Sequence, residues 1–254
     1  MNRRALAGLA LLAILLLAGC LGGPSEIPEE DLTGNATYDW ETNATTTFDL
    51  SRSSYTAVVE IRNRTELAVW RRDELGSESP VDLQALQFRF ENGTVVNATH
   101  GNLSATRSQD ETVIELPAEN GSVAYSASRT GKRFTSPAFI EGSYEVVLPP
   151  SARIGVPLLS QASPGGRSTS VTGDRMTVRW AEVSGGAVSV RYYLQRDLLL
   201  FGGLVALVVL VGGGGTVYYL RKIRTLEKQR EEIGVEVDYD EDDPRDEGPP
   251  PGMR

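Results

Sequence analysis

Two long runs without charged residues, one near each end, decide most of what this chain can fold into. The first covers residues 5–19 and the second covers residues 198–217 of a 254-residue sequence. A run of about 20 apolar residues forms a helix that crosses the hydrocarbon core of a membrane. The residues between the two runs are therefore the only stretch able to bury a core, and their number suits a single domain.

The N-terminal run has the features of a secretory signal. Two arginines precede it, the run itself is apolar, and small residues lead into a cysteine. The stretch Leu17-Ala18-Gly19-Cys20 resembles a lipobox, in which the cysteine is lipid-modified and becomes the N-terminus of the mature protein. We therefore predict a signal peptide over 1–19 and a lipidated stalk over 20–50. The alternative is an uncleaved anchor helix with an incidental cysteine.

The C-terminal run predicts a single transmembrane helix over 198–220. Pairs of tyrosines stand close to both of its ends, as in the aromatic belts at membrane interfaces. Three basic residues follow at once and predict that this side faces the cytoplasm. The domain over 51–197 then lies outside the cell, and an acidic cytoplasmic tail covers 221–254. Small residues inside the run are compatible with a homodimer through this helix and equally with a hinge in a lone span.

The region over 51–197 has the pattern of short strands. Runs rich in β-branched and aromatic residues alternate with turn signals. Eight such runs are found, at 55–61, 84–90, 94–99, 112–116, 122–126, 144–148, 176–180 and 187–194. Four turns containing glycine predict hairpins, at Asn92-Gly93, Asn120-Gly121, Thr172-Gly173 and Ser184-Gly185. The predicted fold class is all-β, an antiparallel β-sandwich of the immunoglobulin-like kind.

Asparagine is distributed unevenly along the chain. Seven of the eight asparagines stand in Asn-x-Ser/Thr sequons, whereas the Ser and Thr content predicts about one by chance. The pattern predicts N-glycosylation on the outside of the cell, at Asn35, Asn43, Asn63, Asn92, Asn97, Asn102 and Asn120. No asparagine follows Asn120, so we also predict that residues 121–197 form a face on which a protein partner docks.

Composition and motifs argue against several functions. The net charge of −9 and the absence of a basic stripe disfavour nucleic-acid binding. One cysteine and one histidine leave no material for an intrachain disulfide or a metal cluster built from these residues. Sequence signatures of serine hydrolases, zinc proteases and phosphate-binding loops are missing. We predict no enzyme activity and no cofactor, and we expect His100 to be exposed between two sequons.

The basic residues are mostly arginine, with 22 Arg and 3 Lys against 34 acidic residues. A low lysine content with excess acid is what we expect of a halophile, although a GC-rich genome also favours arginine. Together with the lipobox, the sequons, the single span and the acidic tail, this composition resembles that of haloarchaeal envelope proteins of a family of unknown function. The resemblance covers the whole chain. It implies location and architecture only, so no functional residues carry over.

The leading hypothesis is a membrane-anchored, N-glycosylated surface protein that acts as a non-catalytic interaction or envelope-structural module. Its predicted partners are membrane lipid and other envelope or S-layer proteins, and nucleic acid is not among them. A single-span sensor that signals through the tail is the first alternative. The second alternative is a surface hydrolase whose pair of carboxylates is assembled from distant strands.

Overall fold

The computed structural model describes residues 25–72 and 76–234, with side chains up to residue 230. The predicted signal peptide, Cys20 and the last part of the tail lie outside these residues. The chain divides into two compact units at the bond between Asp197 and Leu198. We call the described part of the first unit, residues 25–72 and 76–197, the β domain.

The described residues form 18 strands and two helices. The strands are β1 (Ser25–Glu26), β2 (Thr46–Leu50), β3 (Ser54–Ile61), β4 (Glu66–Arg72), β5 (Glu78–Pro80), β6 (Leu83–Phe90), β7 (Val95–Asn97), β8 (Ser104–Arg107), β9 (Thr112–Glu115), β10 (Gly121–Ser128), β11 (Arg133–Pro137), β12 (Gly142–Val147), β13 (Ala152–Arg153), β14 (Gln161–Ser163), β15 (Ser168–Thr172), β16 (Arg175–Val183), β17 (Ala187–Arg191) and β18 (Tyr193–Leu194). The helices are α1 (Glu29–Leu32) and α2 (Gln195–Gly234).

The strands assemble into several sheets. The largest has eight strands in the order β15-β16-β12-β2-β3-β10-β6-β7, and the next has five in the order β1-β8-β9-β4-β5. Two smaller sheets have the orders β11-β17-β14 and β13-β18. Among the described pairings, only that of β2 with β12 is parallel. The prediction of an all-β fold built mainly from antiparallel strands is confirmed.

Alternation of side chains along the strands builds the core. In β2, Thr46, Phe48 and Leu50 are buried while the residues between them are half-buried, as expected for a period of two. The ring of Phe48 lies 5.0 Å from that of Phe134 on β11, and Tyr55 on β3 lies 5.2 Å from the same ring. One hydrophobic cluster joins the inward-facing residues of the eight-, five- and three-stranded sheets. These sheets therefore pack as layers around a shared core.

Residues 25–50 do not form the predicted stalk, because they are part of the β domain. β2 lies inside the eight-stranded sheet, and α1 buries Leu32 in the main core. Residues 36–40 cover the opposite face of that sheet, where Tyr38 is buried in a second small cluster. The Tyr38 hydroxyl donates to the carbonyl oxygen of Ala85 at 2.6 Å. The polar composition of the segment favours a stalk, but burial of its spaced apolar residues outweighs composition.

Two of the four predicted hairpins are confirmed. Asn92-Gly93 joins β6 to β7, and Thr172-Gly173 joins β15 to β16, with both glycines at positive φ. The predictions at Asn120-Gly121 and Ser184-Gly185 are wrong, because the strands on either side of each turn belong to different sheets. Gly121 is needed for close packing, since a Cβ there would lie 2.5 Å from the carbonyl oxygen of Arg89.

Helix α2 follows β18 directly and has 40 residues, a length of about 60 Å. Of the described helices, it alone is long and apolar enough to cross a membrane, which confirms the prediction of a C-terminal helix able to span one. The helix passes through the glycines at 212–215 without a break. It also continues beyond the predicted span of 198–220, so the first part of the predicted tail is helical.

Candidate functional site

The seven predicted glycan acceptors are all exposed. Six of them lie in connections between strands or helices, and Asn97 is the last residue of β7. An asparagine must be accessible to be glycosylated, and each of these positions meets that requirement. Their modification stays a prediction.

Several of these asparagines use the side-chain oxygen to shape a loop. The Oδ1 atom of Asn92 accepts a hydrogen bond from the backbone N–H of Thr94 at 2.9 Å. The Oδ1 atom of Asn97 accepts from the backbone N–H of Thr99 at 3.2 Å, and that of Asn120 accepts from the backbone of Asn63 at 3.0 Å. Such local bonds are typical of asparagine in turns. None of the seven Nδ2 atoms, which would carry a glycan, donates a hydrogen bond to a described residue.

The two edge strands of the eight-stranded sheet differ in whether a sequon lies on or beside them. One edge is β7, which contains the acceptor Asn97 and lies between the loops of Asn92 and Asn102. The other edge is β15, which has no sequon and no charged residue, and all five of its residues are exposed. An exposed, uncharged edge strand presents backbone groups that can pair with a strand of another chain. Three sequons therefore border one edge, whereas the strand at the other edge contains none.

An open cleft of about 680 Å³ lies between β4, β11 and the connection from β10 to β11. We call it the arginine cleft, because its lining is rich in basic side chains. The basic residues that line it are Arg71, Arg72, Arg129, Lys132 and Arg133, and the described lining contains one acidic residue, Asp82.

Only some of these charges are paired. Asp82 is bound to Arg107 at 2.7 Å, and Arg72 forms an ion pair with Glu78. Three arginines of the cleft have no carboxylate partner among the described residues, and they are Arg71, Arg129 and Arg133. The described lining of the cleft therefore carries an excess of positive charge inside a chain whose net charge is negative.

Arg129 is the most buried of these cations, with 8% of its surface exposed. Its Nη1 atom donates to the carbonyl oxygen of Ser51 at 2.8 Å and to the Tyr192 hydroxyl at 2.9 Å. Its Nη2 atom donates to the carbonyl oxygen of Gly131 at 3.0 Å. Its Nε atom is buried and makes no hydrogen bond to a described residue. A buried charge is costly unless it is paired, so this arginine is short of one negative partner.

The aromatic side of the cleft contains a second donor without an acceptor. The Nε1 atom of Trp70 is buried and makes no hydrogen bond to a described residue, while its ring packs against Phe139 at 5.2 Å. Tyr55 lies beside it, and burial raises the pKa of the Tyr55 hydroxyl more than the Arg71 guanidinium lowers it. Tyr55 therefore stays neutral at physiological pH.

Lys132 connects the cleft to the start of the apolar run. Its Nζ atom lies 2.6 Å from Oδ2 of Asp197, and the same carboxylate accepts the backbone N–H of Leu194 at 3.1 Å. The hydrogen bond from Lys132 lowers the pKa of Asp197. Asp197 precedes Leu198, where the apolar run begins. Lys132 on the rim of the cleft therefore forms an ion pair with the residue that directly precedes the apolar run.

His100 is exposed, as predicted, and its ring lies 6.3 Å from that of Phe90. Within residues 25–72 and 76–234, His, Cys, Asp and Glu side chains form no group of three that could hold a metal ion.

The model of a family of unknown function, DUF5803, matches residues 42–238. The chain belongs to this family. The match runs from just before β2 to beyond the end of α2, so it includes the arginine cleft and both edges of the large sheet. Asn35 and Cys20 lie before the match. A comparison with curated proteins finds no match.

The arginine cleft is absent from the sequence-based predictions. Its basic residues come from two distant segments, 71–72 and 129–133, which meet only because β11 packs beside β4. A usable signal is that no acidic residue occurs between Asn120 and Ile140, although three basic residues stand there. The other half of the cleft depends on tertiary contacts that no local pattern encodes.

Proposed function

We propose that this protein is a membrane-anchored, N-glycosylated surface protein whose β domain acts as a non-catalytic interaction or envelope-structural module. The proposal rests on the exposure of all seven sequon asparagines with their Nδ2 atoms unused by the fold. Asparagine is mostly exposed in any protein, so exposure by itself says little. The excess of sequons over chance together with this exposure supports glycosylation.

In this proposal the β domain lies outside the cell and is held at both ends. Helix α2 crosses the membrane, and Arg221, Lys222 and Arg224 after the span lie in the cytoplasm. A lipid on Cys20 holds the other end. The acidic, lysine-poor composition supports a haloarchaeal envelope as the setting. Added protease should cut the β domain on intact cells and spare the span and the tail.

The open edge β15 is the surface that we assign to a protein partner. Its residues are Ser, Thr and Val, which favour strand structure, and all are exposed. Glycans at Asn92, Asn97 and Asn102 would block the opposite edge of the sheet. A partner that adds a strand to the eight-stranded sheet would therefore find β15 as its free edge, and strand addition is a common mode of recognition.

The chemistry of the cleft supports a binding role. Arginine stays protonated in proteins, so its guanidinium supplies neither a general base nor a nucleophile at neutral pH. The tyrosine that lines the cleft is a poor candidate as well, because burial raises the pKa of Tyr55 and keeps it protonated. We therefore place no reaction at this site.

A single substitution tests the role of β15. Ser170→Asn creates a sequon with Thr172 on the exposed edge, and a glycan there would prevent strand pairing. We expect crosslinking on whole cells, followed by pull-down of the chain, to lose its main complex. The matched control is Ser170→Asn combined with Thr172→Val, which has the same asparagine and no sequon, and it should keep the complex. A complex that survives with a glycan demonstrated on the edge would exclude this docking surface.

One feature favours a sensor as a second function. Helix α2 is unbroken from Gln195 to Gly234, so a displacement at its outer end reaches the residues that follow the span. Deletion of residues 235–254 distinguishes the two functions. A sensor loses its cytoplasmic output on deletion, whereas an interaction module keeps its crosslinked complexes at the cell surface.

A further inference from the structure

We propose that the arginine cleft binds a phosphate group, with the phosphate of an anionic lipid headgroup as its nearest source. This inference goes beyond the surface role proposed above and does not depend on glycosylation. It concerns a site made only of residues in the β domain, and it can be tested on the purified chain.

Two buried side-chain donors in residues that line the cleft lack an acceptor among the described residues. Arg129 is more than nine-tenths buried, lines the cleft and leaves its Nε atom without a partner among the described residues. The buried Nε1 atom of Trp70 lines the same cleft in the same state. A buried donor without an acceptor costs free energy, and a ligand with several acceptor oxygens removes that cost. Both residues line one open cavity, and the two donor atoms themselves are shielded from solvent in the described structure.

The described lining of the cleft is also rich in positive charge. Arg71 and Arg133 line the cleft beside Arg129, and none of the three meets a carboxylate of a described residue. Asp82, the acidic residue of the described lining, is already held by Arg107. The planar guanidinium matches the oxygens of a phosphate and forms strong charge-assisted hydrogen bonds with them. Three arginines around one cavity that no carboxylate of a described residue neutralises therefore favour a phosphate over a neutral ligand.

One lysine of the cleft is paired with a residue next to the C-terminal apolar run. Lys132 on the rim is paired with Asp197, the last residue before the apolar run. Arg133 stands directly opposite Arg191 in the pairing of β11 with β17, and both are exposed. Like charges in directly opposed positions destabilise a sheet. In this proposal an anion bound in the cleft offsets the repulsion between the two arginines.

The experiment uses the full chain in nanodiscs of zwitterionic phosphatidylcholine. Three soluble probes are titrated, namely inorganic phosphate, dihexanoyl phosphatidylglycerol and dihexanoyl phosphatidylcholine. Binding is followed by calorimetry and by tryptophan fluorescence, since Trp70 lines the cleft. We expect phosphatidylglycerol to bind at least tenfold more tightly than phosphatidylcholine. Trp70→Phe should abolish the fluorescence change, because Trp70 is the tryptophan that lines the cleft.

Variants of exposed residues locate the site. Arg71→Gln combined with Arg133→Gln should weaken binding at least tenfold, because two charge-assisted hydrogen bonds are lost. Both residues are exposed, and the one hydrogen bond from their side chains to a described residue runs from Nε of Arg71 to the Ser79 hydroxyl at 3.1 Å, so the variant should keep the far-UV circular dichroism of the native chain. Arg133→Gln alone repeats the test with a milder change. Arg64→Gln is the matched control, since Arg64 is also exposed and does not line the cleft.

The three probes separate the sources of the phosphate. Tight binding of phosphatidylglycerol with weak binding of inorganic phosphate identifies the lipid headgroup. Equal binding of both identifies free phosphate as a sufficient ligand of the same site. Absence of binding by either probe, or binding that the cleft variants leave unchanged, overturns the proposal and leaves the proposed surface function unaffected.

Discussion

Residues 25–120 and residues 121–197 of the β domain differ in surface chemistry far more than in structure. The first part contains all seven sequons, with 18 acidic and seven basic residues. The second part contains no asparagine, with nine basic and five acidic residues, and it leads into the apolar run. Yet the two parts share one sheet, in which β10 lies between β3 and β6 and β12 lies beside β2. The contrast therefore belongs to the surface of one fold and does not mark two domains.

We expect the largest effect from a rise in pH, which should unfold both parts of the β domain together. Burial raises the pKa of Tyr38 and Tyr55 in the first part and of Tyr125 and Tyr144 in the second. An unfolded tyrosine ionises near pH 10. The stability that these neutral hydroxyls contribute is therefore complete below about pH 10 and is lost as the pH rises further.

We expect the melting temperature to be constant between pH 7 and 9 and to fall steeply above about pH 10. Circular dichroism gives the melting temperature, and absorbance at 295 nm reports tyrosine ionisation. The two signals should change together. Four tyrosines that ionise near pH 10 in a chain that stays folded would contradict the burial of these hydroxyls.

Phe134→Ala should show whether the two parts unfold as one. Phe134 belongs to the second part and packs on Phe48 and Tyr55 of the first. Removing a buried phenylalanine costs about 3–5 kcal/mol, because contacts are lost and a cavity remains. Chemical denaturation should show a single transition at lower denaturant. The control Val171→Ala, at a position that is 51% exposed, should shift the midpoint little. Two separate transitions would show that the parts are independent.

Arg129→Gln tests a polar link between the parts. Arg129 joins the backbone of Ser51 in the first part to Tyr192 in the second. Its loss leaves buried acceptors unsatisfied, which costs about 1–3 kcal/mol. We expect an intermediate fall in the free energy of unfolding, below that of Phe134→Ala. Arg64→Gln is the exposed control. Equal effects of the two arginine variants would show that the buried contacts of Arg129 contribute nothing.

Arg133→Gln should change the stability least of all these variants, and it should raise the stability where the others lower it. Arg133 opposes Arg191 across two paired strands, so removal of one charge relieves a repulsion of about 0.2–1 kcal/mol. The chain in zwitterionic nanodiscs should melt at a slightly higher temperature at low salt. The gain should vanish in 1 M salt, where charges are screened within about 3 Å. A lower melting temperature at low salt would contradict the unpaired state of the two arginines.

The sequence predicts the parts of the fold that depend on local patterns. The hairpin at Asn92-Gly93 and the apolar run of the span are examples, because turn geometry and helix length are encoded by neighbouring residues. The placement of β2 is not predicted, since its Thr-rich sequence resembles a linker until β3 and β12 flank it. The same limit applies to the cleft, where Arg71 and Arg129 meet only through packing of distant strands.

The positions of the glycan acceptors can be predicted from the sequence only in part. The motif identifies each asparagine, and turn residues are usually exposed, so exposure of Asn92 and Asn102 follows from sequence. That they flank one edge of the large sheet does not follow, because strand order depends on non-local pairing. The contrast between a bordered edge and an open edge is therefore visible only in the fold.

The central claim is that the first part of the β domain is glycosylated on the cell surface. Mass spectrometry of glycopeptides from the chain purified out of its own membranes tests it most directly. We predict glycan mass on the peptides that contain Asn92, Asn97 and Asn102, the acceptors around β7, and on others among the seven. Recovery of all seven sequon peptides in unmodified form would contradict the account.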